Sequence, residues 1–183
     1  RANTCHTKCK LFWMRCTNTT QRSKFIDQSK ESQIMLPTYA QNPNCELCTT
    51  DGGELVWQND TLRVIMVNDP HFVGFARVVW HEHIAEMTDL KPEQRSALMK
   101  TVCIVEDVMR KVLNPTKINL ASLGNMTPHL HWHVIPRFSD DINFPNPVWA
   151  LSQSDAAAPA KPRVSAKQYD ALVGALRIAL WAV

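Results

Sequence analysis

The sequence has no run approaching the roughly 18 consecutive apolar residues that a membrane span requires. Its longest apolar stretch near the start, Leu11 to Met14, is too short for a signal-peptide core. Together these absences set the expectation of a cytoplasmic protein with no membrane partner. An internal repeat is also missing, which excludes solenoid and propeller arrays. A basic footprint is lacking where it would matter. Residues 1–34 hold seven Lys and Arg against two Asp and Glu, and the rest of the chain holds thirteen against fifteen. The net charge of +3 therefore belongs to one end, and the larger part offers no electrostatic case for nucleic acid as a partner. What remains, 183 residues with 45% hydrophobic content, suits one ordinary domain with a tail.

The six cysteines divide in the same way: Cys5, Cys9 and Cys16 near the start, then Cys45, Cys48 and Cys103. In a reducing compartment they are expected as thiols or metal ligands, not as a disulfide framework. Cys5-His6-Thr7-Lys8-Cys9 carries metal-binding side chains, but Cys16 completes no recognised zinc spacing. Residues 1–35 are polar and aperiodic and read as a disordered or non-native leader with no catalytic part. Cys103 falls within a helical pattern and is expected in the core.

From residue 44 the pattern becomes regular. Glu54 to Asn59 and Thr61 to Val67 alternate around Asn59-Asp60, which predicts a hairpin. Val73 to Trp80 supplies a third strand. Thr88 to Glu93 signals a helix start, and the apolar period from Leu98 to Leu113 continues it to Asn114-Pro115. His81-Glu82-His83 has the wrong spacing for a zincin helix and reads as the end of the third strand. Lys117 to Leu123 is a fourth strand. Residues 151–183 read as an Ala/Pro linker followed by a helix that Ser165 caps and whose apolar stripe is Tyr169, Leu172, Val173, Leu176 and Leu180.

The informative stretch is Pro128-His129-Leu130-His131-Trp132-His133-Val134-Ile135-Pro136. Its period-two alternation predicts a fifth strand, with the three histidines on one face and Leu130, Trp132 and Val134 on the core face. Three imidazoles in a row contribute little to packing. They suit either a metal site or nucleophilic catalysis in which one ring attacks and its neighbours manage protons and charge. A short loop before them, Gly124-Asn125-Met126-Thr127, has the small polar residues and free backbone amides that accept a phosphate. Cys45-Glu46-Leu47-Cys48 is half a zinc site or a pair of reduced, partly buried cysteines.

The sequence His129-Leu130-His131-Trp132-His133-Val134-Ile135, with Arg137 beyond it, resembles the signature of the histidine triad (HIT) superfamily of nucleotide hydrolases and transferases, and of its bacterial members in particular. The resemblance covers roughly residues 44 to 150, and Met35 stands just before a segment similar to the usual start of such a protein. It implies an α+β HIT fold, an antiparallel five-stranded sheet with two main helices, within a domain of residues 36–150, and a homodimer. It also implies a hydrolase of dinucleoside polyphosphates or nucleoside phosphoramidates. His131 would attack the α-phosphorus, its Nδ1–H held by a backbone carbonyl. His129, His133 and Asn125 would assist, with no cofactor required for catalysis.

The same resemblance assigns Asn68, Asp69, Asn119, Gly124 and Thr127 to nucleotide binding. Asn68 and Asp69 suit the ribose hydroxyls as well as they suit a simple turn before Pro70. A structural zinc would be held by Cys45, Cys48, His83 and His129. Phe75 replaces a histidine that many relatives carry after the glycine of the third strand. Relatives that pass the nucleotide to phosphate or a sugar phosphate often have glutamine in the third triad position, so His133 favours hydrolysis. A binding module with little turnover and a metal-dependent enzyme using the same histidines are the alternatives.

Overall fold

A computed structural model describes residues 40–150, 163–181 and 183. The expected leader and most of the expected linker, including Cys5, Cys9 and Cys16, lie outside the described residues. The elements run α1 (Glu46–Thr49), β1 (Glu54–Gln58), β2 (Leu62–Met66), β3 (Ala76–Trp80), a 3₁₀ turn (Met87–Asp89), α2 (Pro92–Leu113), β4 (Lys117–Ala121), β5 (His131–Arg137) and α3 (Ala166–Leu180). The strands form one sheet in the order β1-β2-β3-β5-β4, every neighbouring pair antiparallel. This is the expected five-stranded α+β architecture with two main helices. No helix among the described residues is long and apolar enough to cross a membrane.

Local chemistry explains the boundaries. The Asn59 side chain accepts the amides of Thr61 and Leu62, and Asn59 N–H donates to the Leu62 carbonyl. The hairpin loop is therefore Asp60-Thr61, one residue later than expected, with Asn59 as its closing residue. A bulge between Leu55 and Trp57 turns two successive residues of β1, Val56 and Trp57, toward the same core. The third strand starts at Ala76 and not at Val73 because Gly74 lies at φ +97, where a side chain is strained. A Cβ there would also come within 2.9 Å of Leu113 Cδ1.

Pro92 occupies the first position of α2, and the Gln94 side chain accepts the Lys91 amide. Asn114 ends that helix in the left-handed region at φ 48. Ser165 and Gln168 exchange bonds at the start of α3 as expected of a capping box.

Strand alternation splits the sheet into two faces. Leu62, Val64 and Met66 of β2, Ala76, Val78 and Trp80 of β3, and Trp132 and Val134 of β5 pack with Ile118 against α2 and α3. From the helices come Leu98, Val102, Val105, Leu172 and Leu176, all fully buried. Cys103 is not among them. It is exposed, because it lies about 100° around the helix from Val102, past the buried stripe.

Candidate active site and metal centre

The other face of the sheet carries Arg63 and Ile65 of β2, Arg77 and Val79 of β3, and His131, His133, Ile135 and Arg137 of β5. The register places Arg77 opposite His133 and Val79 opposite His131. Both histidines are buried, each 5% exposed. Leu130, Trp132 and Val134 anchor the same segment to the helical core, as the alternation predicted.

The three histidines have different partners. His131 Nδ1 lies within hydrogen-bond distance of the His129 carbonyl. A carbonyl can only accept, so Nδ1 carries the proton and Nε2 keeps its lone pair. Burial pushes the His131 pKa down, the bond to His129 opposes that, and Arg77 adds to the lowering. The ring is therefore neutral near pH 7. His133 is driven further, to about 3, by burial and then by His131 and Arg77. Its Nδ1 is buried with no hydrogen-bond partner among the described residues. Rings surround it: His131 at 4.7 Å, Trp149 at 5.0 Å and Phe75 at 5.4 Å between centroids.

His129 points elsewhere. Its Nε2 donates to the Trp80 carbonyl at 2.6 Å, which leaves Nδ1 as the free lone pair. That atom lies 3.5 Å from Cys45 Sγ, 3.4 Å from Cys48 Sγ and 3.4 Å from His83 Nδ1. Cys48 Sγ and His83 Nδ1 are 3.3 Å apart. All four ligand atoms fall within 4.8 Å of one another. A tetrahedral ion with sulfur at about 2.3 Å and nitrogen at about 2.0 Å separates its ligands by roughly 3.3–3.8 Å, so this donor set fits zinc. The Cys-x-x-Cys spans the start of α1. Arg63 holds that turn in place by donating to the Leu47 carbonyl at 2.7 Å.

Asn125, Gly124 and Thr127 join Arg77, His131, His133 and Trp149 around a cavity of about 280 Å³. The loop that carries them also supplies Ser122, whose hydroxyl donates to the His131 carbonyl. Asp69 Oδ1 accepts the amides of His71 and Phe72, forming an Asx turn, and Asn68 is exposed beside it. The Asn119 amide oxygen accepts from Arg137 at 2.7 Å.

Arg137 is 2% exposed and makes a bidentate pair with Asp141, at 2.7 and 2.9 Å, plus a bond to the Asn146 carbonyl. Burial alone would raise the Asp141 pKa, but the bonds to Arg137 and its charge outweigh this and hold the carboxyl below its ordinary range. The ion pair fastens the segment after β5, which brings Trp149 over His133. Within this chain that segment covers the site.

Sequence reasoning missed Arg77. An arginine in the middle of a hydrophobic strand was the available signal, but its significance depends on the β3–β5 register, which a single sequence does not give.

The HIT domain family profile matches residues 51–140. An AP-4-A phosphorylase of Mycobacterium tuberculosis is 31% identical over 81 residues, which is 41% of this chain and 42% of the relative. An asymmetrical bis(5'-nucleosyl)-tetraphosphatase of Schizosaccharomyces pombe is 28% identical over 97 residues, 50% of this chain and 53% of the relative. The matches thus span about half the length of these curated relatives. Among solved structures, a histidine triad protein of Bradyrhizobium japonicum aligns with TM-score 0.58 and 26% identity, over 79% of this chain and 100% of the other. Another from Marinobacter aquaeolei VT8 aligns with TM-score 0.57 and 24% identity, over 72% and 91%. The triad strand, the sheet order and these matches agree that residues 51–140 of this chain are a HIT domain.

Proposed function

We propose that this protein is a nucleotidyl hydrolase that acts on the α-phosphate of dinucleoside polyphosphates or nucleoside phosphoramidates. The observation that carries the reading is the pairing of His131 Nδ1 with the His129 carbonyl, which makes a neutral ring with Nε2 free to attack. Nε2 forms a bond to the α-phosphorus as the bond from phosphorus to the leaving oxygen or nitrogen breaks. Water then attacks the same phosphorus, the nitrogen–phosphorus bond breaks, and the mononucleotide leaves with His131 restored. Such transfers depend on positioning and on stabilising charge around phosphorus.

Gly124, Asn125 and Thr127 stand where amides and side chains reach the non-bridging oxygens, and His133 faces the leaving group. His129 acts through its carbonyl, which sets the tautomer of His131. Asn68 is the better ribose contact of its pair, since Asp69 is already occupied by two amides. Asn119 supports the nucleotide side by holding Arg137. Cys45, Cys48, His83 and His129 would hold a structural zinc, and the metal would brace α1 against the segment that leads into the triad strand. The exposed Leu120 and Leu123, at the β4 edge of the sheet, are where a second copy would pair to make a homodimer.

The test is to incubate the protein with diadenosine tetraphosphate and, separately, adenosine 5'-phosphoramidate, with and without phosphate. AMP as product, absent in His131→Ala, supports hydrolysis; ADP appearing only with phosphate would make it a phosphorylase. Binding without product would leave a nucleotide-binding module. Metal analysis completes the test, with one zinc per chain expected and lost in Cys48→Ser.

A further inference from the structure

We infer that Arg77 is the specificity-determining contact of this site: its guanidinium holds the phosphate chain beyond the α-phosphorus and so favours nucleotides whose leaving group is a phosphate. This rests on the nucleotidyl-transfer reading above. The placement comes from the sheet itself. Arg77 lies directly opposite His133 in the β3–β5 ladder, and opposite residues of an antiparallel pair point to the same face with Cβ atoms about 4.5–5.5 Å apart. With His131, His133 and Trp149 it lines the cavity over the triad, and among the described residues that line it Arg77 is the only formally charged side chain.

Its own partners are few. Arg77 Nε is buried without a hydrogen bond, and no carboxylate stands within salt-bridge distance among the described residues. Glu46 acts on it only at longer range, and the Phe75 ring, 5.7 Å from Cζ, supports one face. The other cavity-side polar groups, Asn125, Thr127 and the two histidines, are neutral. A half-buried guanidinium that lacks a carboxylate is strongly complementary to a phosphate, which it can bind with two parallel hydrogen bonds.

The charge decides the chemistry. A leaving polyphosphate gains negative charge as its bond to the α-phosphorus breaks, and a guanidinium beside His133 stabilises that gain. A leaving amine develops no such charge, and Arg77 has nothing to offer it. Removal of Arg77 should therefore separate the two substrate classes, whereas loss of a contact to the α-phosphate would weaken both alike.

The first experiment is binding, which needs no turnover. Affinities for AMP and for α,β-methylene-ATP are measured by titration calorimetry on the full chain and on Arg77→Met, with Arg77→Gln as a second variant should the first not fold. The wild type should bind the analogue at least about tenfold more tightly than AMP, a ratio that falls toward one in the variant while AMP affinity moves less than about threefold. In turnover, kcat/KM for diadenosine tetraphosphate should fall by about 100-fold, and that for adenosine 5'-phosphoramidate by less than about threefold. A wild-type ratio near one, an unchanged ratio in the variants, or equal losses on both ligands would overturn the inference. If neither substrate turns over, the hydrolase reading fails, and the binding ratio still decides the role of Arg77.

Discussion

The two faces of the sheet are built from alternate residues of the same strands, yet they hold their side chains in different ways. Against α2 and α3, the face made by Val64, Val78 and Val134 is sealed by apolar packing alone. On the opposite face Arg63, His131, His133 and Arg137 are almost as deeply buried, but carbonyls, amides and one carboxylate hold three of them in place. Burial therefore does not distinguish the site from the core. The difference is that the helix face can tolerate any side chain of suitable volume, whereas the site face fixes ring orientation and tautomer atom by atom. Strand β5 belongs to both: Trp132 and Val134 immobilise the strand on which the histidines are carried.

The sharpest way to separate the faces is to remove one residue from each. His131→Ala should lower turnover by at least about 10⁴-fold while the melting temperature hardly changes, because it removes the proposed nucleophile. Leu176→Ala, on the helix face, should cost about 2–5 kcal/mol of stability and leave kcat of the folded fraction intact. Denaturation curves and steady-state kinetics on both variants check this; a large stability loss in His131→Ala would merge the two faces again.

Asp141→Ala tests whether the polar face has a packing role of its own. It leaves Arg137 buried without its carboxylate, which should destabilise the protein by about 3–5 kcal/mol. Activity should fall as well, since the segment that places Trp149 over His133 loses its fastening. Urea midpoints and kcat for the variant are the measurements, and a neutral substitution would show that the pair only decorates the site.

Much of this division was readable from the sequence. The His129–Ile135 alternation placed the strand and its two faces, and the Cys-x-x-Cys with His83 and His129 anticipated the cluster that the fold assembles. What could not be read depends on contacts across strands. Arg77 becomes a site residue only through its register opposite His133, and Asn119 turns to Arg137 because β4 pairs with β5. The leucines and valines of α2 announced a helix, but the position of Cys103 relative to the stripe was misjudged, since a helical period fixes spacing and not which flank of the stripe meets the sheet.

The pH response sharpens the comparison further, because burial holds the histidines of the site face neutral. With its folded pKa near 3 and an ordinary value of 6.5, His133 binds fewer protons in the native state than in the unfolded state between those limits. Its contribution to stability is complete above about pH 6.5 and is lost as the pH falls toward 3, at up to about 1.4 kcal/mol per pH unit. His131 and His129, also lowered, act in the same direction. Denaturant titrations from pH 7.5 to 4.5 should show this slope, and His133→Gln should make it shallower. An unchanged slope in the variant would mean that His133 titrates normally.

The smallest effect is expected where the helix face ends. Cys103 lies one residue past Val102, yet it is exposed while Val102 and Val105 are fully buried. Replacing its sulfur by oxygen removes little apolar contact and strands no polar group, so Cys103→Ser should shift stability by no more than about 0.5 kcal/mol. Val102→Ser, one position earlier, would bury a hydroxyl in apolar surroundings and lose two methyl groups, at a cost of about 2 kcal/mol or more. Parallel melts of the two variants therefore locate the edge of the apolar face to a single residue. If Cys103→Ser proved as costly as Val102→Ser, the exposed flank of α2 would be covered in solution by something other than water, and the second copy proposed above is the first candidate for that cover.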